Sequence, residues 1–245
     1  MLILGGTGEA RSLAAALVDT PGRSIVSSLA GRVSNPALPV GDVRIGGFGG
    51  VEGLVDFLRS EPIDAVVDAT HPFAATISAH AVDAAAETGH PLLVLRRPGW
   101  IEQDGDTWLR VPDIATAATA VAEMPAGCVF VTTGRRDLAA FAGDSRRTYL
   151  VRTVDPPIGP TPTGMILLLD RGPFTVEGET ALLGEHDVRA LVTKDSGGEM
   201  TSAKLAAARS RAIPVVMVDR PPASAGPPTA ATVPQAIAWL DSVAG

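Results

Sequence analysis

The sequence predicts an α/β protein of two halves, each a parallel sheet covered by helices. Three observations carry this. Short apolar runs alternate with alanine- and leucine-rich runs along the chain, which is the rhythm of βαβ units. The run Asp64 to Asp68 is apolar throughout its centre, as expected for a strand covered on both faces. A glycine-rich turn directly follows the first apolar run, where such a sheet can meet a phosphate-bearing ligand.

In the N-terminal half, Leu2-Ile3-Leu4 is a short strand broken by Gly5-Gly6, and Glu9 to Val18 is a helix. Strands follow at Ser24 to Leu29 and Val43 to Ile45. Val51 to Arg59 is helical, with Val51, Leu54, Val55 and Leu58 on one face. After the strand Asp64 to Asp68 comes a helix from Phe73 to Glu87, ended by Gly89, then a strand from Pro91 to Leu95. Asp113 to Glu123 is the last helix of this half. The turn Met124-Pro125-Ala126-Gly127 is the expected boundary, giving domains 1–125 and 126–245. In the second half strands are expected at 128–132, 148–154, 165–169, 189–193 and 214–218. Helices are expected at 137–142, 175–184, 199–210 and 233–243. Asp155 to Gly164 and Arg220 to Pro228 read as loops, and no internal repeat is visible beyond the shared rhythm.

Composition narrows the partners. The 245 residues suffice to bury one large core or two small ones, and the 46% hydrophobic content argues against disorder. A net charge of −7 does not favour nucleic acid or an anionic membrane. An anionic ligand must therefore be held by local basic groups. Lysine occurs only at Lys194 and Lys204, so the other 18 of the 20 basic residues are arginines, whose planar fork suits carboxylates and phosphates. Cys128 is the only cysteine and sits in an apolar run as a core thiol, which fits a reducing, cytoplasmic compartment. The first strand begins at Met1, so no signal peptide is expected. No apolar run is long enough to cross a membrane, and no metal-ligand spacing is present.

The glycine-rich turn reads Gly5-Gly6-Thr7-Gly8-Glu9-Ala10-Arg11. Gly6 and Gly8 match the first two glycines of a dinucleotide fingerprint, while Arg11 stands at the third. A flavin or S-adenosylmethionine site uses similar turns. The second strand ends Val26-Ser27-Ser28-Leu29-Ala30-Gly31-Arg32, with no acid for a ribose diol. Ser28 and Arg32 instead favour a 2′-phosphate, hence NADPH, and argue against a methyltransferase. Tyr149, the only tyrosine, is followed four residues on by Thr153, so a Tyr-x-x-x-Lys pair is absent. P-loop and nucleophile-elbow motifs are also absent.

Three further strand ends stand out. Asp68-Ala69-Thr70-His71-Pro72 would place Thr70 and His71 beside the cofactor, with Pro72 opening a helix. Thr133-Gly134-Arg135 forms a turn able to take a carboxylate. Lys194-Asp195-Ser196-Gly197-Gly198 is followed by Thr201 and Lys204 on a helix.

Taken in order, these segments resemble the precorrin-6A reductase family of cobalamin biosynthesis, which includes cobalt-precorrin-6A reductases. Arg97-Pro98-Gly99-Trp100 belongs to the same set. The resemblance implies two Rossmann-like domains with the active site in the cleft between them. It also implies NADPH-dependent reduction of one double bond of an anionic tetrapyrrole, giving precorrin-6B. The residues expected at the cofactor are Gly5, Gly6, Thr7, Gly8, Glu9, Ala10, Arg11, Ser28, Arg32, Thr70 and His71. Those expected at the substrate are Arg97, Thr133, Gly134, Arg135, Lys194, Asp195, Ser196, Gly197, Gly198, Thr201 and Lys204. His71, Lys194 and Asp195 are candidates for the proton-delivering role, which the sequence leaves unassigned. Neighbouring cobalamin-pathway enzymes are conceivable partners, and a monomer is the expected state. Two readings stay open beside this one: another NADP-linked reductase of a small substrate, and a dinucleotide-sensing module without catalysis.

Overall fold

A computed structural model describes residues 1–31, 34–223 and 225–243. The chain divides into two compact units, Met1–Pro98 with Pro221–Gly245, and Gly99–Arg220. Each holds a six-stranded, all-parallel sheet.

The first unit contains β1 (Leu2–Leu4), α1 (Gly8–Leu17), β2 (Val26–Leu29), β3 (Asp42–Ile45), α2 (Val51–Ser60), β4 (Val66–Asp68), α3 (Ala75–Thr88) and β5 (Leu92–Leu95). Its sheet order is β3-β2-β1-β4-β5 and then β12 (Thr229–Ala230), which arrives from the far end of the chain, followed by α7 (Val233–Val243). The two-residue period of β1 divides the core. Ile3 points into a cluster with Leu13, Leu17, Ala236 and Leu240 of α1 and α7. Leu2 and Leu4 point into the opposite cluster with Leu54, Leu58, Ala81 and Ala84 of α2 and α3. Gly89 ends α3 in the left-handed conformation, φ 74°, as its position predicts.

The second unit contains β6 (Trp108–Val111), α4 (Ile114–Glu123), β7 (Cys128–Val131), β8 (Thr148–Thr153), β9 (Met165–Leu169), α5 (Val176–Glu185), β10 (Val188–Lys194), α6 (Ala203–Ser210) and β11 (Val215–Val218). Its order is β9-β8-β7-β10-β11-β6. Numbered from β7, this repeats the strand order of the first sheet, a repeat at the level of topology that the sequence hid.

The boundary therefore differs from the expected 125/126 division. β6 was not visible as a strand, yet Trp108 to Val111 pair with Val215 to Val218. This carries α4 and the Met124–Gly127 turn into the second unit. β12 pairs with Val94 and Leu95, returning the C-terminal segment to the first. Two expected helices also shrink. Residues 137–142 hold only a four-residue 3₁₀ turn, Leu138–Phe141. The stretch 199–210 opens as a 3₁₀ turn, Glu199–Thr201, before α6.

The second core carries two charged knots. Arg147 donates to Asp144 and to the carbonyls of Ala122 and Met124, and the Tyr149 hydroxyl donates to Asp144 at 2.9 Å. Burial and that carboxylate push the phenol pKa up, so Tyr149 is structural. Arg152 of β8 makes a bidentate pair with Glu179 of α5, 2.5 and 3.0 Å, both side chains buried. The Phe174 ring centroid lies 3.5 Å from its guanidinium carbon. Truncating one partner strands the other charge inside. Glu179→Ala is thus expected to cost about 3–5 kcal/mol in urea denaturation, and a shift below about 1 kcal/mol would mean that water reaches the pair.

Candidate active site

In a sheet of this order, ligands sit beyond the C-terminal strand ends where the order reverses, between β1 and β4 in the first unit. The glycine-rich turn leaves β1 at that point. Gly6 has φ 111°, which suits glycine alone, and nothing lies within 4 Å of where its Cβ would be. A Cβ on Gly5 would touch Ala10 Cβ and Leu29 Cδ2 at 3.4 Å. Close helix–strand approach thus rests on Gly5 and Ala10, which explains why Arg11 can occupy the third glycine position. Thr7 caps α1 by accepting from the Ala10 N–H at 3.1 Å, and its hydroxyl donates to the Ala69 carbonyl at 2.7 Å. That bond ties the turn after β1 to the end of β4. Amides ahead of Ala10 open the helix without intrahelical carbonyls, and with Gly6 bare they fit a pyrophosphate.

The neighbouring residues fall into place around this turn. Ser28 is buried at the end of β2, level with Leu4. Arg32 lies outside the described residues. Asp68 is buried and accepts from the backbone N–H and hydroxyl of Thr70, at 3.0 and 2.7 Å. Neither residue caps α3, and Pro72 does not open it: a His71–Ala74 turn intervenes and the helix starts at Ala75. His71 is exposed, and its Nδ1 accepts from the Phe73 N–H at 3.3 Å. Arg97, expected at the substrate, instead pairs with Glu9 in the first turn of α1.

The second unit has its own reversal point, between β7 and β10. There Lys194 Nζ meets Asp137 Oδ2 at 2.6 Å. The Asp137 N–H donates to Gly134 O at 3.4 Å, so this ion pair joins the turn after β7 to the end of β10. Thr132 reinforces the junction by donating to Thr193 Oγ1 at 3.0 Å. Thr133 is 7% exposed and its hydroxyl has no partner among the described residues, beside Gly134 at φ 103°. Arg135 approaches Asp155 at 3.6 Å. Asp137 escaped the sequence reading because no local motif pairs an aspartate with a lysine 57 positions away. A 3₁₀ turn, Leu138–Phe141, follows β7 in place of an α-helix, so this turn lacks the helical amides of the first.

Two expected residues behave otherwise. Asp195 is 4% exposed and fully engaged: it accepts from the Trp100 N–H at 2.9 Å and from Arg110 at 2.8 Å, with Arg220 at 3.8 Å. A Cβ on Gly99 would strike its carboxylate at 2.8 Å. Its carboxylate thus ties the Gly99–Trp100 backbone and Arg110 to the end of β10. Lys204 is 3% exposed, donates to Thr201 O at 2.6 Å and lies 4.6 Å from the Trp100 ring centroid. It is neither an exposed clamp nor a solvated helix face. Ser196, Gly197, Gly198 and Thr201 line the segment joining β10 to α6.

The family model described as Precorrin-6x reductase CbiJ/CobK matches residues 1–241. The chain is 53% identical over 243 residues to a protein named Precorrin-6A reductase from Rhodococcus erythropolis, covering 99% of this chain and 98% of the relative. A protein of the same name from Mycobacterium tuberculosis is 54% identical over 241 residues, 98% of this chain and 96% of the relative. A solved structure named CobK precorrin-6A reductase has a TM-score of 0.91 at 44% identity, covering 99% of this chain and 96% of that one.

Burial makes Lys204 a source of pH-dependent stability. Desolvation first, then the Arg152 charge, lowers its pKa from 10.5 to about 7, with Glu179 opposing. The folded state therefore disfavours the ammonium. The penalty is complete below about pH 7, where both states are protonated, and vanishes above the unfolded value of 10.5. Stability is expected to rise between these limits by up to about 1.4 kcal/mol per pH unit. Lys204→Met should flatten that rise and be the more stable protein at pH 7. Parallel pH profiles for the two in thermal denaturation would contradict it.

Proposed function

The chain belongs to the precorrin-6x reductase CbiJ/CobK family, and on that premise we propose that it reduces cobalt-free precorrin-6A with NADPH. It is an oxidoreductase acting on a CH–CH group: one double bond of the macrocycle is reduced, giving precorrin-6B, a step of cobalamin biosynthesis. The observation that most supports the cofactor reading is the Gly5–Arg11 turn at the reversal point of a Rossmann-ordered sheet, locked to β4 through Thr7. The near relatives carry the cobalt-free name, which favours that substrate here.

NADPH, when bound, supplies the hydride. The chain's own residues then bind and orient. The amides of Gly6 to Glu9 meet the pyrophosphate, Ser28 and Arg32 take the adenosine ribose and its 2′-phosphate, and Thr70 and His71 border the nicotinamide end. In the second unit Thr133, Gly134, Arg135 and Lys194 with Ser196 to Gly198 receive acetate and propionate arms of the tetrapyrrole. Fixing both reactants supplies much of the acceleration in a hydride transfer. His71, Lys194 and Asp195 are the candidate groups for the proton-delivering role. Cys128, a lone thiol whose pKa burial raises, fits a reducing cytoplasm, and no described helix is long and apolar enough to cross a membrane.

The direct test follows absorbance at 340 nm. The purified protein should oxidise NADPH only when precorrin-6A is supplied; oxidation without it, or none with it, ends the reading. Lys194→Ala should raise KM for precorrin-6A by roughly tenfold or more, the worth of one charge-assisted contact, and leave KM for NADPH unchanged. An unaltered tetrapyrrole KM would remove Lys194 from the substrate group.

A further inference from the structure

The third strand of the first sheet runs into a glycine-rich loop, Gly46-Gly47-Phe48-Gly49-Gly50, that leads to α2. Gly46, Gly49 and Gly50 have φ of 128°, 86° and 111°, a region that favours glycine. The loop folds back onto Arg44. Nη1 donates to Gly46 O at 2.7 Å and Nη2 to Gly47 O at 2.9 Å. The guanidinium carbon lies 4.0 Å from the Phe48 ring centroid and 5.5 Å from that of Phe57, and these rings meet edge to face at 5.3 Å. Phe48 is held in turn by α2: a Cβ on Gly53 would lie 1.8 Å from the Phe48 carbonyl oxygen, so loop and helix are in backbone contact that only glycine permits.

Among the described residues no carboxylate pairs with Arg44. Two of its five N–H donors go to loop carbonyls and three remain. An immobilised guanidinium without a counter-ion is a seat for an anion. Its place in the sheet says which. Leu4 is level with Ser28, and Ser28 with Arg44, in neighbouring parallel strands. Arg44 thus stands two strands from the glycine turn, about 10 Å away at the usual strand spacing. In a sheet of this order the adenosine ribose extends from the first turn over the end of the second strand, where its 2′ substituent is read.

We propose that Arg44 reads the 2′-phosphate of the dinucleotide, with one N–H each of Nη1 and Nη2 fixed by Gly46 and Gly47, one face on Phe48, and its three remaining donors offered to the phosphate monoester. Arg44 is then a specificity-determining residue. The inference rests on the NADPH reading above.

Calorimetry with the full chain tests it without turnover. Adenosine 2′,5′-bisphosphate and 5′-AMP differ only in the 2′-phosphate, and inorganic phosphate serves as the control for a non-specific anion. Wild type should bind the bisphosphate roughly tenfold or more tighter than 5′-AMP, and inorganic phosphate far more weakly. Arg44→Gln should erase most of that preference and leave 5′-AMP within about twofold. Arg44→Lys, which keeps charge and reach but lacks the fork, should lose part of it and guards against a folding defect in the first variant. Preference retained in both variants, or lost only in Arg32→Gln, overturns the assignment. Equal affinity of wild type for the two nucleotides overturns it also. A wild type that binds neither nucleotide and does not oxidise NADPH with precorrin-6A means that the underlying cofactor reading has failed.

Discussion

The Thr7 hydroxyl holds the ligand-facing edge of the first unit together. It accepts from Ala10 N–H, which starts α1, and donates to Ala69 O, which fixes where β4 ends. Ladder bonds hold β1 and β4 together as far as Ala69 N–H to Leu4 O at 2.9 Å, and beyond them the strand ends continue as separate loops. Here one buried hydroxyl bridges those loops at the reversal point. Gly6 stays bare beside it, with nothing within 4 Å of where a Cβ would lie. Asp68 acts similarly one step further, fixing Thr70 through two bonds.

The second unit solves the same problem with charge. Its equivalent turn is not followed by an α-helix, so it lacks ordered helical amides, and the Lys194–Asp137 pair joins the two strand ends. The two units share a strand order while their edges carry different chemistry: backbone donors in one, lysine, arginine and threonine side chains in the other. Backbone donors suit a compact pyrophosphate. Long cationic side chains suit the spread carboxylates of a large macrocycle.

Burial forces the charged groups of the second unit to find partners within the protein. Asp195, Lys204, Arg152 and Glu179 are all ionisable and all inside. Asp195 is satisfied by two arginines and a backbone amide, and Arg152 and Glu179 satisfy each other. Lys204 has one carbonyl and one indole face for an ammonium, and burial pushes it toward the neutral form.

The elements of each unit and the turns that carry chemistry were legible from the chain alone, because they depend on neighbours. The apolar period of β1, the glycines after it, the Gly89 stop and the strand–turn pattern at Thr133 and Lys194 all express preferences within a few residues. Partnership over long distances was not legible. Trp108 to Val111 and Thr229-Ala230 are too short to declare themselves as strands, and only pairing with β11 and β5 makes them so, which moved the domain boundary. Asp137 with Lys194, Glu9 with Arg97, and the inward turn of Lys204 likewise depend on what the folded chain brings alongside. A local pattern specifies which face of an element is apolar; which residue meets a given charge is decided only when the sheets close and water is excluded.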